Sequence, residues 1–206
     1  TIGSYYDGSK TASGMENVFG NIWDDLIQLV DAGSKVVDVI GYGDDYNFDF
    51  VNSIDKLTLT EGGVALDKVK IDDTTYGFGP IEENGTTTYR YVLHYYADGA
   101  TDEQTGGNGQ VEDECIVWDI NVPVTKDAPV ELTYSVKLAE PKTAPGTYGQ
   151  YDADGSKGYG GLYTNNSATL YPIDSNGVQG FPERFAKPTA SYTVSGGGSS
   201  YDYVGR

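Results

Sequence analysis

Few side chains in this chain have the type and spacing to do chemistry. The one thiol, Cys115, and the one imidazole, His94, form the only pair a cysteine nucleophile could draw on. Cys115 lies in the strand-like run Cys-Ile-Val-Trp-Asp-Ile and reads as a small buried hydrophobe rather than an activated thiolate. Asp152-Ala-Asp-Gly155 resembles the start of a calcium loop but lacks the further ligands and the closing Glu. Glu112-Asp113-Glu114, with Asp98, Asp102 and Glu103, reads as solvated acidic loop. There is no phosphate-binding Gly-rich loop, no Gly-x-Ser-x-Gly elbow and no zinc spacing. No spacing singles out a carboxylate pair for glycoside hydrolysis among the 31 acids. What remains is one carboxyl inside an apolar run, Asp38 in Lys-Val-Val-Asp-Val-Ile, and two adjacent amides, Asn165 and Asn166, where a later strand begins.

Those groups need strands to position them. Residues 35–40, 48–51, 55–60, 64–71, 86–96, 115–122, 130–138 and 165–171 read as strands. Glu61-Gly-Gly63, Asn84-Gly85, Gly106-Gly-Asn-Gly109 and Pro123 separate them. Val130-Glu-Leu-Thr-Tyr-Ser-Val-Lys-Leu138 alternates apolar and polar residues, as a half-buried strand does. This spacing predicts an all-β fold, an Ig-like β-sandwich with two long loops, 97–114 and 139–162. Residues 11–30 are expected to be an amphipathic helix, with Val18, Phe19, Ile22, Trp23, Leu26, Ile27, Leu29 and Val30 on its apolar face. The expected division is a helical segment over 1–33, the sandwich over 34–190, and a linker or tail over 191–206 that carries Ser-Gly-Gly-Gly-Ser-Ser. Residues 185–194, which lead into that tail, are a candidate last strand.

Composition agrees with that class. Tyr occurs 18 times and Gly 28 times, which supplies pleated surface and many turns. A net charge of −18 and a pI near 4.1 argue against nucleic acid and anionic membrane surfaces as partners. No apolar run approaches the ~20 residues of a membrane helix. The chain begins at Thr1 without Met, as expected of a processed or excised piece. No disulfide, metal or cofactor is expected. The tyrosines of residues 86–96 and the acidic loops support a second reading, a carbohydrate-binding module of an extracellular protein.

The order Lys35-Val-Val-Asp38-Val-Ile, Phe48-Asp-Phe-Val51, Trp118-Asp-Ile, Val130 to Leu138 and Tyr163-Thr-Asn-Asn-Ser-Ala-Thr-Leu-Tyr171 resembles the isopeptide-forming Ig-like domains of Gram-positive pilins and adhesins, of the collagen-adhesin A-region type. The resemblance covers about residues 35–190. Ser13 to Ile22 followed by Leu26-Ile-Gln-Leu-Val30 resembles the closing helix of a von Willebrand factor A module, which in pilus-tip adhesins leads into such a domain. The resemblance implies an adhesive or structural domain of a cell-surface, cell-wall-attached protein. Its partners would be neighbouring domains and an unnamed host or matrix ligand, and it would not be an enzyme.

In that family a strand lysine attacks the side-chain amide of an asparagine on the final strand and releases ammonia, while a nearby acid shuttles protons. By resemblance Asp38 is the acid and Asn165 the amide, with Asn166 as the alternative. Before Asp38 the chain offers only Lys10, in a Gly/Ser/Asp setting, and Lys35, which strand alternation turns to the opposite face. Either the partner lysine lies outside this chain or no bond forms.

Overall fold

The computed structural model describes residues 15–19, 30–43, 46–50, 56–149, 162–195 and 201–205. Strand after strand is paired antiparallel, in three sheets. The first runs β3 (Tyr42–Gly43), β4 (Tyr46–Phe50), β11 (Val130–Leu138), β5 (Thr58–Glu61), β6 (Val64–Ala65), and β1 (Met15–Phe19) also pairs with β11. The second runs β15 (Glu183–Arg184), β14 (Asn165–Tyr171), β2 (Lys35–Ile40), β10 (Cys115–Ile120), β9 (Thr86–Tyr96), β8 (Thr75–Glu83), β7 (Lys68–Lys70). A smaller sheet joins β12 (Gly146–Tyr148), β16 (Thr189–Val194), β13 (Leu162–Tyr163) and β17 (Tyr201–Gly205).

The two large sheets share one core, which makes the molecule a β-sandwich. Val130, Leu132, Tyr134, Val136 and Leu138 of β11 all point inward, as the alternation requires. They meet Val36 and Ile40 of β2, Ile116, Trp118 and Ile120 of β10, Tyr91 and Leu93 of β9, and Ala168 and Leu170 of β14. Strand β2 is buried on both faces. Its other face, Val37 and Val39, packs with Cys115, Val117, Ala100 and Val111. Loop 97–114 thus covers part of the outer face of the second sheet. A strand covered on both sides reads as a continuous apolar run, and this one does so from Val36 to Ile40 apart from Asp38.

Two expectations differ from the structure. Met15–Phe19, inside the span expected to be helical, run as strand β1 along β11, and Val30 lies outside any helix. Gly14 and Gly20 flank that short run, and pairing with a long central strand satisfies its backbone groups. The other residues of the expected helix lie outside the described residues, as does Asp152-Ala-Asp-Gly155. No α-helix occurs among the described residues. Strand β8 was not expected at all. It pairs with β9 over most of its length despite Gly77, Gly79 and Pro80. The Tyr89 ring lies where a β-carbon on Gly77 would sit, 2.3 Å from the nearest ring atom, so the missing side chain is replaced by an aromatic from the next strand.

Candidate functional site: a buried Asp–Tyr–Asn cluster

Asp38 occupies the middle of β2, opposite Ile116 of β10 and Ala168 of β14. Alternation from Val36 and Ile40 turns it into the sandwich, where it is 3 % exposed. Tyr134, from the facing sheet, is 1 % exposed, and its Oη donates to Asp38 Oδ2 at 2.5 Å. Asn165 is fully buried. Its Nδ2 donates to Asp38 Oδ1 at 2.6 Å and to Tyr134 Oη at 2.7 Å. Three strands from two sheets therefore meet in one closed ring of hydrogen bonds.

A β-bulge puts Asn165 there. Ala168 pairs with Asp38 and Ser167 with Val39, but Asn165, not Asn166, pairs with Ile40. Counting back from the inward residues Leu170 and Ala168, regular alternation would turn Asn166 inward and Asn165 out. The extra residue at the bulge reverses that parity. Asn166 instead reaches the side chain of Tyr42, at the sheet end. The approach is tight. Gly41 N donates to the Thr164 carbonyl at 2.9 Å, and Thr164 N donates to the Pro188 carbonyl at 3.0 Å. Thr164 Oγ1 lies 3.2 Å from Asn165 Oδ1 and 3.3 Å from the Pro188 carbonyl. The amide is thus held with its nitrogen toward the acid and its oxygen toward a hydroxyl.

Burial dominates the electrostatics. It pushes the Asp38 carboxyl up to about 7, against the opposing pull of hydrogen bonds from Tyr134 and Asn165. The same burial, together with the carboxylate beside it, holds the Tyr134 phenol well above its ordinary range. A carboxyl in this state exchanges a proton near neutrality, which a surface aspartate does not do.

The lysines and the other candidates sit elsewhere. Lys35 faces outward and is ion-paired with Asp119. Lys68 donates to the Leu57 carbonyl at 3.0 Å, and Lys187 lies over the Tyr163 ring. Lys10 and Lys157 lie outside the described residues. His94 contacts Thr75 through Nδ1 at 3.4 Å and Asp119 through Nε2 at 3.2 Å. Cys115 is fully buried, and burial raises its thiol to about 12. Asp98, Glu112, Asp113 and Glu114 line an open cleft with Asp49, Tyr42 and Tyr95. On β9, Tyr91 and Leu93 are core residues, so that strand presents no continuous tyrosine face to a saccharide. Tyr134 is the member that sequence reasoning missed. Its signal was present: the alternation places it inward, and it is the one hydroxyl-bearing residue among five inward positions of β11.

The fold and site define an antiparallel β-sandwich carrying a buried acid–phenol–amide cluster between its sheets. No protein-family model matches the chain, and no curated protein matches it. Two solved structures are similar at the level of chain trace. One is the adhesive tip pilin GBS104 from Group B Streptococcus agalactiae, 15% identical with a TM-score of 0.41. The match covers 80% of this chain but only 22% of that one. The other is the RrgA Jo.In complex, 15% identical with a TM-score of 0.39, with 88% of this chain and 70% of that one covered. Likenesses this distant do not bear on function.

Proposed function

We propose that the chain is a structural domain of an extracellular bacterial surface protein, an adhesin or pilus subunit of Gram-positive cell-wall-attached type. On this reading it is not an enzyme, and its partners are neighbouring domains of the same protein and a host or matrix ligand. Asn165 is the amide half of an internal isopeptide bond and Asp38 its proton shuttle. The single observation supporting this reading is the fully buried 2.6 Å contact between the Asn165 amide nitrogen and Asp38. An amide and an acid that exchanges protons near neutrality, sealed from water, are what a one-time self-crosslink requires.

The chemistry balances without a co-reactant. A lysine kept neutral by burial attacks Asn165 Cγ. One amine proton passes to Asp38 and one is returned to Nδ2. The Cγ–Nδ2 bond breaks and ammonia leaves. The lysine comes from sequence outside this chain. Intact-mass measurement on the full-length protein tests the reading: a deficit of about 17 Da, one ammonia, is expected and is absent from Asn165→Ala. Peptide mapping then identifies the lysine. A full-length protein at its unmodified mass sinks the crosslink.

A further inference from the structure

We propose that Tyr134 is a positioning residue for that crosslink, holding the departing amide nitrogen of Asn165 between two oxygens and giving Asp38 a second hydrogen-bonded route to it. This inference rests on the crosslinking reading above.

The argument begins with what a hydroxyl costs in this place. The other inward residues of β11 are Val130, Leu132, Val136 and Leu138, all buried and apolar. A phenylalanine would fill the position of Tyr134 with the same ring and no polar atom. A buried hydroxyl is unfavourable unless it is hydrogen-bonded. Tyr134 Oη accepts from Asn165 Nδ2 and donates to Asp38 Oδ2, so the polar cluster gives the hydroxyl its place. It enters from the sheet opposite β2 and β14. Asp38 and Asn165 are therefore set by their own sheet, and Tyr134 fixes the amide from the third direction.

The geometry suits the step that the crosslink finds hardest, loss of the amide nitrogen. That nitrogen must gain a proton as its bond to Cγ breaks. It sits 2.6 Å from Asp38 Oδ1 and 2.7 Å from Tyr134 Oη, and Oη sits 2.5 Å from Asp38 Oδ2. Asp38, having taken a proton from the attacking amine, returns it to Nδ2 directly or through the phenol. In the second route Tyr134 gives up its own proton and takes that of Asp38, ending unchanged. Both amide hydrogens are held in the starting state, so the amide cannot turn its nitrogen away from the acid.

The test is the time course of ammonia loss in the newly made full-length protein, followed by intact mass at a series of pH values. Tyr134→Phe keeps the ring and removes the hydroxyl. It is expected to slow crosslinking by at least about ten-fold. It also moves the midpoint of the rate–pH profile upward, because Asp38 loses a donor that favours its ionised form. A merely structural tyrosine would alter stability while ammonia loss from the folded protein kept its native rate. Site-specific 3-fluorotyrosine at position 134 keeps the fold and the hydrogen bonds while making the phenol more acidic, so a shifted profile is expected there as well. Tyr134→Phe that crosslinks at the native rate with an unmoved profile overturns this inference alone. If Tyr134→Phe does not fold, an unmoved profile in the fluorinated protein overturns it instead. A native protein that keeps its full mass removes the crosslink itself, and this inference with it.

Discussion

A β-carbon on Gly41 would sit 1.7 Å from the carbonyl oxygen of Tyr163. The end of β2 and the entry to β14 are pressed together there, three residues after Asp38 and two before Asn165. Gly41→Ala forces them apart and loosens the Gly41–Thr164 hydrogen bond. A loss of about 1–3 kcal/mol is expected, the usual range for an overpacked interior position. Urea unfolding measures it. An unchanged midpoint would mean that the two segments separate freely.

Burial of Asp38 makes stability depend on pH in the direction opposite to a salt-bridged carboxylate. The group is about 7 in the fold and 3.8 as an ordinary carboxyl. Between those values the folded chain binds the extra proton, so stability is full below about 4, falls as pH rises and levels off above about 7. The loss is on the order of 4 kcal/mol at most. Asp38→Asn is expected to flatten that window in denaturant titrations, and a wild-type curve that rises from pH 4 to 7 would contradict the assignment.

The two asparagines are expected to separate cleanly. Asn165→Ala leaves Asp38 and Tyr134 each short of a buried partner and costs about 1–3 kcal/mol. Asn166→Ala, at the outward bulge position, falls within about 0.5 kcal/mol of the native chain. Equal effects in thermal unfolding would place the bulge elsewhere.

Cys115 is expected to resist thiol reagents in the folded protein. It is fully buried, and its thiolate is disfavoured at neutral pH. Labelling should appear only as the chain unfolds in denaturant. Rapid reaction of the native chain with an aromatic disulfide reagent would show that loop 97–114 opens.

Much of this was legible in the sequence because period-two alternation survives wherever one face of a strand meets the core. Strands β11 and β14 fall on the residues that the alternation marked, and Asp38 was visible as the one carboxyl in an apolar run. Strand β8 was hidden because Gly77, Gly79 and Pro80 mimic a turn, and only the cross-strand ring of Tyr89 explains why they do not make one. The choice between Asn165 and Asn166 was not legible, since a bulge is set by how two strands fit and leaves no mark on either. Tyr134 was overlooked for another reason: an inward tyrosine resembles any other core aromatic until the atom at its tip is accounted for.

The bulge in β14 also acts as a parity check on assembly. A strand that docks on β2 one residue out of step exchanges its inward and outward sets, and a purely apolar interior tolerates some such errors. Here an off-by-one register would turn the Asn165 amide outward and leave Asp38 and Tyr134 without the donor they share. Only the correct alignment satisfies all three, so the same atoms that are poised to join would first have verified that the strands are in order.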